Sequence, residues 1–270
     1  MPKHVIDDRF IGSLHLMGLT RNGLAHDPDT ERTVVQTSTI NALLEGCYEG
    51  DVTLGELLQH ATDGIGTVQG LDGELIVLRG HAYTARADGS VEALDQATKT
   101  PFAVLTKFDA RPHVSLSKLG FRSFLNQLDN TDTDAPVLAV RATGTFENLH
   151  LRSIAKQNPP YRPLPEVVAD QTEWHLEQET GDVIGFRFPD SVAGVEVPGW
   201  HLHFLSATKD HGGHVISLDV VDADIEVSPC DELHIELPSG VPLGKTGDAD
   251  KDAINAVEAR QRTHKTRSRA

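Results

Sequence analysis

Short β-forming runs, each closed by glycine, aspartate or proline, recur through most of this chain. They limit the fold more than any other feature. "ELIVLRG" (74–80), "HAYTARA" (81–87), "FAVLTKF" (102–108), "VLAVRATGTF" (137–146), "EWHLEQE" (173–179), "VIGFRFP" (183–189), "WHLHFL" (200–205), "HVISLDV" (214–220) and "ELHIELP" (232–238) are β-branched or alternating. Such runs predict strands joined by tight turns. Helical patterns are few. "TSTINALLEGCYEGD" (37–51) reads as a short helix capped by Ser38 or Thr39, with Ile40, Leu43 and Leu44 on one face and Gly46 at its end. "TLGELLQHA" (53–61) opens with Thr53 and Glu56 at capping-box spacing. An amphipathic helix is expected over Ser117–Leu128, and a last one in "DKDAINAVEARQR" (250–262). Helices and strands do not alternate regularly, so the chain reads as α+β, a mixed α/β composition with mostly antiparallel strands.

"NPPYRPLPEVVADQ" (158–171) has four prolines and no periodicity. It is expected to link two parts. Residues 1–157 would form an N-terminal mixed sheet with helices. Residues 158–270 would form a β-rich, barrel-like unit with a tail helix.

The 270 residues carry a formal charge of -16. That surface disfavours nucleic acid, whose phosphates bind through lysine and arginine, and disfavours anionic membranes. The basic end, Arg260 to Arg269, reads as a solvated tail. Cys47 and Cys230 are far apart with no metal-binding spacing, as reduced thiols of a cytoplasmic protein would be. The first residues, "MPKHVIDDRF", contain no apolar signal region. No stretch reaches the roughly eighteen apolar residues of a membrane helix.

Four histidines fall within "WHLHFLSATKDHGGHV" (200–215). In a strand, His201 and His203 point to one face. A hairpin pairing Leu205 with His214 would bring His214 to the same face and leave His211 at the loop tip. A bulge at Gly212-Gly213 would change that register. Three neutral imidazoles and an open fourth position describe a catalytic zinc site. The plain alternative is a polar strand face with loop histidines. A cupin site is disfavoured, because no glutamate follows in "FLSATKD". His60, His81, His113 and His150 are expected to be structural or exposed, and His234 to face solvent. Trp200 is expected in the hairpin core or as a pocket wall.

In "GIGTVQGLDGELIVLRGHAYTARADGSV" (64–91), Thr67 and Glu74 are the functional candidates. The alternative for Glu74 is a solvated carboxylate at a strand start. "GIGTVQG" does not follow a clear strand and open a helix, so it is not read as a dinucleotide fingerprint. In "LHLRSI" (149–154) alternation puts Arg152 on the face of His150.

Together these segments resemble one family, α-acetolactate decarboxylase. The matching blocks are "QTSTINALLEGCYEGDVTLGELLQHATDGIGTVQGLDGELIVLRGHAY", "TPFAVLTKF", "VRATGTFENLHLRSIAKQNPPYRPLPEV" and "HLHFLSATKDHGGHV", in that order. The resemblance implies zinc ligands at His201, His203 and His214, an active-site arginine at Arg152, glutamates at Glu74 and Glu258, and a near-metal threonine at Thr67. His211 is not a family ligand. The implied reaction converts 2-hydroxy-2-methyl-3-oxobutanoate to (R)-acetoin and CO2, in the butanediol branch of pyruvate metabolism. Losing CO2 from a β-keto acid leaves an enediolate. Zinc can stabilise that charge as a Lewis acid, with no organic cofactor. Arg152 would orient an anionic group of the substrate. Glu74 would donate the proton that sets the product's hand, with Glu258 as a positioning or second acid-base group. The resemblance also implies two α/β-type parts and a homodimer. Two other readings keep the histidines: another zinc lyase or hydrolase acting on a related keto acid, and a non-catalytic metal-binding module.

Overall fold

The computed structural model describes residues 32–110, 114–131 and 134–237, and the backbone of 9–11 and 14–17. Along the chain come β1 (Arg9–Ile11), β2 (Leu14–Met17), β3 (Thr33–Thr37), α1 (Ile40–Leu44), β4 (Val52–Thr53) and α2 (Leu54–Leu57). Then follow β5 (Asp63–Thr67), β6 (Glu74–Leu78), β7 (His81–Ala85), β8 (Val91–Ala93), β9 (Lys99–Thr100) and β10 (Phe102–Thr106). The rest is β11 (Val114–Gly120), α3 (Phe121–Asp129), β12 (Val137–Ser153), α4 (Leu164–Val168), β13 (Thr172–Phe188), β14 (Gly199–Ser206), β15 (Gly212–Cys230) and β16 (Glu232–Glu236). The molecule is sheet-rich with short helices, as the α+β reading expects.

A nine-stranded sheet runs in the order β1-β2-β16-β3-β10-β5-β6-β7-β8. It is mixed, because β16 lies parallel to both β2 and β3. A five-stranded antiparallel sheet runs β11-β15-β12-β13-β14, and β14 also pairs with β15. Strands β15, β12, β13 and β14 therefore close a ring of pairings. The proline-rich stretch 158–171 contains α4 and joins β12 to β13, which pair with each other over their length. β16 returns to the first sheet. Strand pairing thus does not divide at residue 157.

Alternation sorts side chains into three layers. Ile65, Ile76, Phe102, Ile184 and Leu205 belong to a core between the two sheets. Leu75, Val77, Ala103 and Leu105 point to the opposite face of the first sheet, where Leu54 and Leu57 of α2 cover them. Leu202, Phe204, Val215 and Leu218 fill the other face of the second sheet with Phe124 and Leu128 of α3.

Local caps follow from the sequence. Thr39 Oγ1 accepts from Ala42 N at the start of α1. Thr53 and Glu56 form a reciprocal capping box on α2. Three readings are corrected. Residues 117–120, expected as helix, finish strand β11, and the helix starts at Phe121. Lys118, with φ +52°, is left out of the β11–β15 pairing, and the register is the same on either side of it. "EWHLEQE" and "VIGFRFP" are one strand, β13, because Gly181 between them is paired rather than turned: a Cβ there would lie 2.3 Å from Leu205 O of the neighbouring strand. His234 is 2% exposed rather than solvent-facing, since β16 is flanked by β2 and β3. Among the described residues no helix is long and apolar enough to cross a membrane.

Candidate metal centre

β14 turns Trp200, Leu202 and Phe204 into one core and His201, His203 and Leu205 toward the other sheet. β15 crosses back with His203 opposite His214 and Leu205 opposite Gly212. The expected register paired Leu205 with His214, so the hairpin differs by two residues. A shift of two keeps every side chain on its face, whereas a shift of one would have turned His214 away. Gly213 makes the crossing possible: a Cβ there would lie 2.9 Å from Arg152 O and 3.0 Å from the Trp174 ring.

The three imidazoles meet with ring centroids 4.9 to 5.4 Å apart. One ligand nitrogen from each lies within 4.8 Å of the other two, so the trio could hold a metal ion. His203 Nδ1 donates to Leu75 O at 2.9 Å. That bond fixes the tautomer and leaves Nε2 as a lone pair, the usual support for a metal-binding imidazole. His201 Nδ1 and His203 Nε2 are buried with no hydrogen-bond partner among the described residues. Buried polar nitrogens in this state cost free energy unless something coordinates them. The donor set therefore fits a metal.

Burial, aided by the charge of Arg152, pushes the His201 pKa down to about 3. Burial and neighbouring positive groups hold His203 and His214 well below the ordinary histidine range. All three imidazoles are neutral near pH 7, as ligation requires.

The first sheet supplies the opposite wall. Glu74 and Thr67 are direct partners across β6 and β5, so both face the layer between the sheets. Glu74 is 9% exposed, with Oε2 3.4 Å from His203 Nε2. Thr67 Oγ1 donates to Gly73 O at 2.9 Å, closing the β5–β6 turn. Arg152, on β12 opposite His214, is 6% exposed and donates through Nη2 to His214 Nε2 at 3.2 Å. Glu74, Thr67, Arg152, His201 and His214 line one open pocket. Its remaining wall is largely apolar: Ile40 and Leu43 of α1, Leu71, Phe102, Ile154 and Leu164 of α4.

Glu258 and His113 lie outside the described residues. His211 is on the loop, 3.2 Å from Glu179. His81 is exposed and His60 half-buried. Trp200 packs in the core and donates to Asp129 at 2.9 Å, away from this pocket. Sequence reading did not single out Leu164 or Gln171, which bonds Arg152. Both sit in the stretch read as a linker. The one signal for Gln171 was the alternation Gln171, Glu173, His175.

Residues 34–243 match the family model described as alpha-acetolactate decarboxylase. The alpha-acetolactate decarboxylase of Methylococcus capsulatus is 36% identical, over 86% of this chain and 90% of its own length. That of Brevibacillus brevis is 36% identical, over 81% and 78%. The crystal structure of alpha-acetolactate decarboxylase from Bacillus subtilis superposes with a TM-score of 0.80 at 28% identity, covering 84% of this chain and 99% of that one.

Proposed function

The chain belongs to the alpha-acetolactate decarboxylase family, and from that premise we propose that it converts 2-acetolactate to (R)-acetoin and CO2 with zinc held by His201, His203 and His214. The observation that carries this reading is a cluster of three neutral histidines, two of which line one pocket together with a carboxyl group and a buried guanidinium. When bound, the metal would supply a Lewis acid for the electron pair released as CO2 departs. Arg152 offers charge-assisted donors to an anionic group of the substrate and fixes its orientation. Glu74, in the same pocket, holds the proton delivered to carbon, and delivery from one wall gives one enantiomer. Thr67 holds the turn that carries Glu74, and Glu258 supplies a second carboxyl group. On the same reading the protein is a cytoplasmic homodimer in acetoin biosynthesis, with no nucleic-acid or membrane partner.

The test is acetoin release from racemic acetolactate, before and after chelation, with metal content per chain. Chelator-sensitive turnover with about one zinc per chain is expected for a single three-histidine site. Glu74→Gln should keep the metal and lose about 100-fold or more in turnover. Zinc without acetoin would indicate another keto acid on the same ligands. Turnover that survives full metal removal would sink the proposal.

A further inference from the structure

Behind Arg152 a line of polar side chains leads away from the pocket. Arg152 Nη1 donates to Gln171 Oε1 at 2.7 Å. Gln171 Nε2 donates to Glu173 Oε1 at 2.7 Å. The second oxygen of Glu173 lies 2.8 Å from His150 Nε2, and the His150 ring stacks on His175 with centroids 4.0 Å apart. Register explains the line. His150 is opposite His175 and Arg152 opposite Glu173 across β12 and β13. Residues two apart share a face, and Gln171, just before β13, continues that face.

Direction matters in this chain. An ionised carboxylate only accepts, so Glu173 draws the amide nitrogen of Gln171 and leaves its carbonyl oxygen facing Arg152. A guanidinium is planar, so holding Nη1 sets the plane of the whole group. The other edge then faces His214, where Nη2 is 3.2 Å from Nε2. Neither Gln171 nor Glu173 lines the pocket.

We propose that Gln171, oriented by Glu173, is a positioning residue for the reaction: it fixes the guanidinium plane through which Arg152 meets the substrate. This rests on the reading of Arg152 as a substrate-binding group. Gln171 then acts only through Arg152, whereas a general structural role would act without it.

A double-mutant cycle on the zinc-loaded protein separates the two, with metal content and thermal midpoint measured for every variant. Gln171→Leu should lower kcat/KM by about 10- to 100-fold. The loss should divide between kcat and KM as it does in Arg152→Ala, with zinc per chain unchanged. Adding Gln171→Leu to Arg152→Ala should cost nothing further. The exchanged pair Q171E/E173Q keeps an acceptor toward Arg152 and a donor behind it, and should stay within about threefold of wild type. Wild-type turnover in Gln171→Leu beside an inactive Arg152→Ala would overturn the positioning role, and so would losses that add. Wild-type turnover in Arg152→Ala would overturn the reading of Arg152 itself, and this proposal with it. If Gln171→Leu does not fold, the exchanged pair decides: activity supports the role, and a folded, zinc-loaded but inactive pair refutes it.

Discussion

His201, His203 and His214 are neutral imidazoles because they are enclosed by protein and because Arg152 already brings a positive charge beside them. That neutrality has a measurable cost. In the metal-free protein the unfolded chain takes up protons at ordinary histidine values, near pH 6.5. Folded His201 does so only near pH 3. Between those values the unfolded state binds more protons, so stability falls as pH falls. Each such histidine contributes up to about 1.4 kcal/mol per pH unit. Urea midpoints of chelated protein should drop between pH 7.5 and 5.5, and His201→Asn should flatten the drop. A flat profile in the unmodified chain would show that these rings are not enclosed. The residue types needed here were readable from the sequence, since H-x-H on a strand and a third histidine after a glycine pair already suggest a shared face. The partners were not. Leu75 reaches His203 through its backbone carbonyl, a group every residue has and no sequence distinguishes.

β13 shows what an element adds. Its two halves look like separate strands because Gly181 lies between two β-forming runs. Instead the glycine lets β14 come close: a Cβ would meet Leu205 O at 2.3 Å and the Phe204 ring at 2.8 Å. Gly181→Ala should therefore destabilise the protein by about 1–3 kcal/mol, the usual range for overpacking. The denaturation midpoint measures it, and an unchanged midpoint would mean the two strands lie further apart. The same limit explains the β11–α3 boundary. Leu116, Leu119, Phe124 and Leu128 satisfy an amphipathic pattern, yet β11 pairs with β15 up to Gly120. Ladder partners about a hundred residues away overrode a local helical period.

At the scale of the molecule, the site exists only because the two sheets are held face to face. One of the ties is ionic. Arg141 of β12 reaches Asp63 of β5 at 3.0 Å and Glu226 of β15 at 2.7 Å, and lies over the Phe108 ring at 4.5 Å. Asp63 is 2% exposed. Arg141→Met would leave a buried carboxylate without its cation, at a cost of about 3–5 kcal/mol. Adding Asp63→Asn should recover much of that loss in urea unfolding. No recovery would place the cost in lost packing instead. The sequence by itself determined the alternation of most strands, the capping box of α2 and the shared face of His201 and His203, because these depend on neighbours within a few residues. Only the tertiary structure decided that His203 stands opposite His214, that Leu164 lines the pocket and Gln171 bonds Arg152, and that Glu74 and Arg152 share a pocket. Those outcomes depend on which distant strands pair and in what register, and the free energy that selects them is spread over both sheets.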